Sequence, residues 1–147
     1  MLHIKVLGSA AGGGVPQWNC NYTYSRRARA GDIDVPERLQ SSIAASAGAG
    51  WVLFNASPDI RAQLAAAPEL QPAADACLRS TPVSAVVLTN ADVDHIAGLL
   101  SLRERQRFHL YASGRVLDVL EQNSIFRVLD PAYVRRIELP AGQDVEI

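Results

Sequence analysis

Apolar and polar positions along this chain change over in short blocks, and the blocks read as strands separated by brief helices. Residues 2–7 show strand alternation and run into a loop of small residues, Gly8-Ser9-Ala10-Ala11-Gly12-Gly13-Gly14-Val15-Pro16. Residues 25–40 are polar and irregular, with Gly31 and Pro36 as breakers, and predict a long surface excursion. Residues 41–46 and 51–55 read as two strands joined by Ala47-Gly48-Ala49-Gly50, a connection of hairpin length. A helix is then expected, with Ser57 as its cap, Pro58 at its first position and Asp59 complementing its dipole. Ile60 and Leu64 share one face of that helix, which should stop before Pro68. Residues 69–82 predict a short helix within a connection.

The second half continues the alternation. Val83-Ser84-Ala85-Val86-Val87-Leu88 is a short apolar run rich in β-branched residues, the pattern of a strand buried on both faces, and residues 96–103 read as a helix. Further elements are a strand at 108–112, a helix at 114–122, an irregular link at 131–133, and strands at 136–139 and 145–147. His109, inside its strand, reads as structural or solvent-facing. Strands that precede helices, after an early β-rich section, predict an α/β sandwich whose sheet carries helices on one face and a second sheet on the other.

Composition narrows the class. The 147 residues suffice for one domain with a real core, and 48% hydrophobic with 20% charged residues excludes a mainly disordered chain. A net charge of -1 gives no electrostatic case for a nucleic-acid partner. Arg26, Arg27 and Arg29 are followed by Asp32, Asp34 and Glu37, as on a solvated loop. Without an apolar h-region or a membrane span, the expected setting is the cytoplasm. Cys20 and Cys77 form no close-spaced pair and are expected to be buried small hydrophobes. Residues 17–24 hold Trp18, Tyr22 and Tyr24, aromatics expected to pack their loop down. The glycine-rich loop has neither the dinucleotide fingerprint nor a P-loop lysine; it suits the border of a pocket.

The stretch with the densest chemistry is Thr89-Asn90-Ala91-Asp92-Val93-Asp94-His95, two carboxylates and an imidazole in one strand-to-helix turn. Such turns lie beyond the carboxyl ends of strands, where ligands sit, although an Asp there also serves as an ordinary helix cap. The stretch resembles the metallo-β-lactamase superfamily signature Thr-His-x-His-x-Asp-His, with Asn90 and Asp92 in place of the two early histidines. Four blocks narrow the resemblance to the coenzyme PQQ synthesis protein B family. They are Gly8 through Cys20, Gln40-Ser41-Ser42-Ile43-Ala44, Asn55-Ala56-Ser57-Pro58-Asp59-Ile60-Arg61, and Asp94-His95-Ile96-Ala97-Gly98-Leu99-Leu100-Ser101-Leu102-Arg103-Glu104.

That resemblance implies a metallo-β-lactamase-like αββα sandwich, of which residues 1–147 are a single domain incomplete at the C-terminus. It implies a part in making pyrroloquinoline quinone (PQQ) from a precursor peptide. The activity would be iron-dependent hydroxylation of the precursor tyrosine; the alternatives are a carrier in transport of PQQ or its precursor to the periplasm and a metal-dependent hydrolase. Loss of the early histidines disfavours a dinuclear zinc hydrolase and leaves Asp92, Asp94 and His95 as catalytic metal ligands. This oxygen-rich set is closer to a non-haem Fe(II) site than to a zinc site, although zinc remains an alternative. Asn90, Asp59 and Ser57 are expected as supporting or pocket residues. Family members carry further cysteines after the Trp-Asn-Cys, whereas Cys20-Asn21-Tyr22-Thr23-Tyr24 lacks them, which argues against a Cys-ligated structural zinc. The partners implied are the precursor peptide or its tyrosine-derived fragment, and a homodimer or a complementing C-terminal half that covers the open sheet face.

Overall fold

A computed structural model describes residues 1–147 as a six-stranded sheet with its strands in sequence order. The elements are β1 (His3–Gly8), α1 (Thr23–Arg29), β2 (Ser42–Ser46), β3 (Trp51–Phe54), α2 (Ile60–Ala65), β4 (Val83–Val87), α3 (Val93–Ile96), β5 (Phe108–Ala112), α4 (Gly114–Gln122) and β6 (Val134–Glu138). Three 3-10 segments supplement them: Pro68–Leu70, Ala97–Leu102 and Ser124–Val128. β1 to β3 pair antiparallel, and β3 to β6 pair parallel.

Two consequences of this pairing place the site. A parallel connection is right-handed, and here every crossover steps in the same direction across the sheet, so all connecting helices fall on one face. They bury Ile60, Leu99, Val116, Leu120 and Phe126 against Leu53, Val86, Leu110 and Val134. Direction is the second consequence. Two antiparallel steps make β1 run the same way as β3, and hence as β4. The loops that leave β1, β3 and β4, together with the lead-in to β2, therefore share one edge of the sheet.

The opposite face is apolar as well. Ala85, Val87 and Tyr111 are buried there beside Val52, Phe54, Ile137 and Leu139. Toward β1 the same kind of surface is open, with Ile4 62% and Val6 63% exposed. Apolar residues on both faces are the requirement of a sheet held between two layers, and one layer of helices covers one face here. No helix is long and apolar enough to cross a membrane.

Several expectations need correction. The 25–40 excursion begins inside a two-turn helix, because Ser25 and Ala28 bury one face of α1 and the arginines of its last turn complement the helix dipole. Residues 69–82 hold only the 3-10 turn Pro68–Leu70, and Pro72 and Pro82 bracket an exposed stretch that forms no helix. The strand expected at 136–139 is Val134–Glu138, paired with β5. Residues 145–147 form no strand; Val145 and Ile147 instead border a groove with Leu2, Val52 and Phe54. Cys20 is half-buried and Cys77 exposed, so neither is a core residue. Trp18, Tyr22 and Tyr24 are exposed, and the loop is pinned instead by the Arg29 guanidinium on the carbonyls of Gln17, Trp18 and Cys20.

Candidate metal centre

The turn after β4 starts a helix three residues earlier than its apolar pattern suggested. Thr89 to Ala91 leave the strand, Asp92 occupies the N-cap position of α3, and the single turn Val93–Ile96 passes into the 3-10 segment Ala97–Leu102. The ordinary explanation for Asp92 is a cap, yet its side chain makes no capping bond. The local geometry is set by Asn90, whose Oδ1 accepts the Asp92 backbone N–H at 2.9 Å in an Asx turn. That bond leaves the Asp92 carboxylate free and exposed.

Asp94 and His95 follow within the helical turn, each side chain about four-fifths buried, with His95 Nδ1 3.0 Å from Asp94 Oδ1. Ligand atoms of Asp92, Asp94 and His95 all lie within 4.8 Å of one another. Bonds of ~2.0–2.2 Å to a divalent metal place ligand pairs roughly 3 to 4.4 Å apart, so small side-chain rotations close the set around one ion. Two anionic oxygens and one imidazole nitrogen suit a first-row divalent metal and leave coordination positions open. The residues fit a metal.

The turn is anchored from below by the segment after β3. Asn55 adopts a left-handed backbone conformation (φ 65°), and its Oδ1 accepts both the Thr89 N–H at 2.9 Å and the Thr89 hydroxyl at 3.0 Å. Ala56 N–H donates to His95 O and Gly98 N–H to Ala56 O, both at 2.8 Å. Gly98 must lack a side chain, because a Cβ there would overlap the Ser57 carbonyl oxygen and stand 2.7 Å from that of Ala56. Asn55 and Gly98 stand in the blocks that carry the family resemblance, but neither is among the residues expected to build the site. The signal available for Asn55 was an Asn directly after a strand, a residue type that tolerates positive φ.

The remaining predicted residues sit apart from the ligand group. Ser57 is fully buried and does not cap α2; its hydroxyl donates to Gln63 Oε1 at 3.2 Å. Pro58 precedes α2, which begins at Ile60 after Asp59 in the N-cap position, again without a side-chain cap bond. Asp59 Oδ2 instead accepts the backbone N–H of Gln40 at 2.9 Å. The glycine loop borders the centre as its composition suggested: a Cβ on Gly12 would lie 3.0 Å from Asp94 Oδ2, and one on Gly14 would lie 3.9 Å from Asp59 Oδ2. Outside this edge, a hydrogen bond with Ser25 and the N–H of Tyr22 hold the Cys20 thiol below its usual range.

Residues 50–147 match the beta-lactamase superfamily domain, more than half of the chain. The chain belongs to the beta-lactamase superfamily. Within that superfamily its sequence is 56% identical over 135 residues to coenzyme PQQ synthesis protein B of Methylobacterium sp., covering 91% of this chain and 44% of that protein. The protein of the same name from Gluconacetobacter diazotrophicus is 52% identical over 144 residues, 97% of this chain and 46% of the relative. Among solved structures, Zn(2+)-bound PqqB from Methylobacterium extorquens superposes with a TM-score of 0.93 at 49% identity, over 99% of this chain and 52% of that one. The chain thus spans about half the length of these relatives and corresponds to their N-terminal half. Against the superfamily signature, Asn90 and Asp92 stand where the first two histidines would be, and the Asp94-His95 pair is kept.

Proposed function

We propose that this chain serves PQQ biosynthesis through a mononuclear metal site that hydroxylates the tyrosine of the precursor peptide. The observation that carries the reading is the convergence of Asp92, Asp94 and His95 at the superfamily's metal-binding turn, with the first two signature histidines replaced. Relatives called coenzyme PQQ synthesis protein B support the pathway. The donor set supports Fe(II): two carboxylates and one imidazole form an oxygen-rich site, whereas the superfamily's paired zinc chemistry needs the imidazoles that are absent. Bound Fe(II) would supply the redox chemistry of dioxygen activation. The reaction balances as insertion of one oxygen atom of O2 into an aromatic C–H bond, with a two-electron reductant and two protons taking the other atom to water.

This chain's own residues hold the site in place. The contact of Asp94 Oδ1 with His95 Nδ1 leaves Nε2 as the ring's ligand atom, and Asn90 fixes the backbone beneath Asp92. Gly12 lets the loop backbone close on Asp94, because a Cβ there would stand 3.0 Å from the Asp94 Oδ2. The cytoplasm, where a ribosomally made precursor is available, is the proposed setting. The apolar second face supports a covering sheet, from a complementing C-terminal half or a second copy.

Zinc in the M. extorquens relative favours a second reading, a zinc-dependent hydrolase. Oxygen uptake and a one-oxygen mass increase of the precursor peptide, measured on the Fe(II)-loaded chain with and without its complementing half, test the proposal. Both signals should vanish in Asp94→Ala and His95→Ala; uptake indifferent to these changes sinks the site. Ester or lactam hydrolysis by the zinc form supports the hydrolase, and tight PQQ binding without turnover supports a carrier.

A further inference from the structure

We infer that Asp59 is a positioning residue for Asp94, acting through the glycine loop; the inference rests on the reading of Asp92, Asp94 and His95 as a metal site. A helix-capping Asp bonds an N–H of its own helix, and Asp59 does not. Its Oδ2 is used 19 residues away, on the backbone N–H of Gln40. The carbonyl of the same residue accepts from Gln63 Nε2 at 2.7 Å, so both backbone groups of Gln40 are tied to the α2 region. Gln40 is buried, and its Oε1 has no partner, an unsatisfied polar atom of the kind tolerated at functional sites.

The held segment in turn holds the glycine loop. Ala10 N–H donates to Leu39 O at 2.9 Å and Ser41 N–H to Ala10 O at 2.8 Å. Val15 N–H donates to Arg38 O at 2.8 Å, and Arg38 N–H returns to Val15 O at 2.7 Å. Between these two anchor points the loop bows over the turn after β4, and Gly12 meets Asp94 there. A Cβ on Gly12 would be 3.0 Å from Asp94 Oδ2 and 3.2 Å from its Cγ. Oδ1 of the same carboxylate is engaged by His95. Asp94 is therefore held by an imidazole on one oxygen and confined beside the other by a loop too close to admit a side chain at Gly12, and the loop keeps its place because Asp59 and Gln63 clamp the segment it pairs with. Asp59 needs no contact with the metal to set the direction in which Asp94 presents its oxygens.

The test uses the metal-free 147-residue chain and reads the side-chain carboxyl 13C signal of Asp94 by NMR, together with amide exchange at Ala10, Val15, Arg38 and Ser41. Asp59→Ala should move the Asp94 signal and speed exchange at those amides at least tenfold. Asp59→Asn keeps an oxygen acceptor for Gln40 and should restore both. Gly12→Ala perturbs only the last link, and should move the Asp94 signal with Asp59 intact; it carries the decision if Asp59→Ala does not fold. Cobalt(II) titration followed by visible absorption should show affinity weakened ~10–100-fold in Asp59→Ala and not in Asp59→Asn. An Asp94 signal unchanged in Asp59→Ala or in Gly12→Ala overturns the inference, as does an Asp59→Asn protein that behaves like Asp59→Ala. A wild-type chain that binds no cobalt refutes the metal reading alone, and the Asp94 signal still decides the positioning role.

Discussion

Replacing Asn55 tests whether the turn that carries the ligands is held by one side chain in an unusual backbone conformation. Asn55 is buried at φ 65°, and its Oδ1 takes two hydrogen bonds from Thr89. In Asn55→Ala the left-handed conformation costs about 1–2 kcal/mol. Thr89 lies at the surface, so water replaces the lost acceptor in part and the two bonds contribute only about 1 kcal/mol together. The sum is about 2–3 kcal/mol, which in a chain of this size lowers Tm by roughly 5–10 °C. Asn55→Gly removes the backbone strain and keeps the hydrogen-bond loss, so it should cost about 1 kcal/mol, plus several tenths for its more flexible unfolded chain. Asn55→Asp retains both the acceptor and the tolerance of positive φ, and should be the mildest of the three. Urea unfolding followed by circular dichroism ranks them. If Gly is as destabilising as Ala, the backbone conformation contributes nothing and the reasoning fails.

Three further outcomes follow from the packing and the charges. Gly98→Ala drives a Cβ into the carbonyls of Ala56 and Ser57 and should destabilise by about 3 kcal/mol or leave the protein insoluble, as urea unfolding would show. The Arg27 guanidinium, 2.6 Å from Asp32, holds that carboxyl below its usual range. A depressed carboxylate stabilises the fold above its unfolded pKa, and the contribution disappears as pH falls through the folded value. Thermal melts of wild type and Arg27→Gln should therefore differ near neutral pH and converge in acid below the ordinary Asp range. On the open face, Ile4→Lys with Val6→Lys should reduce self-association in light scattering while stability changes by no more than about 0.5 kcal/mol per site.

The order of strands and helices was legible in the sequence wherever burial was two-sided or strictly periodic. The run Val83 to Leu88 has no polar face to mislead, and β5 and α4 fall at the expected boundaries because Phe108, Leu110 and Ala112 recur at the strand period and Val116 and Leu120 at the helical one. Expectation failed where a local signal was used for a distant purpose. Ser57 and Asp59 look like helix caps, yet one turns inward to Gln63 and the other reaches Gln40. α3 begins at Val93 rather than 96 because Asn90 closes an Asx turn, and apolar periodicity is blind to such a bond.

Asp92, Asp94 and His95 are adjacent in the chain, so their convergence within one helical turn needs only local structure. That is why the amino-acid order alone discloses the candidate ligands. The rest of the edge is a product of the sheet. Gly12, Gln40, Asn55 and Asp59 are scattered over nearly fifty residues and come to the edge of the sheet that carries Asp94 because β1, β3 and β4 run in the same direction and β2 starts from the same end. Strand direction depends on pairing across the sheet, a long-range choice made by the packing of the whole domain and written in no single segment.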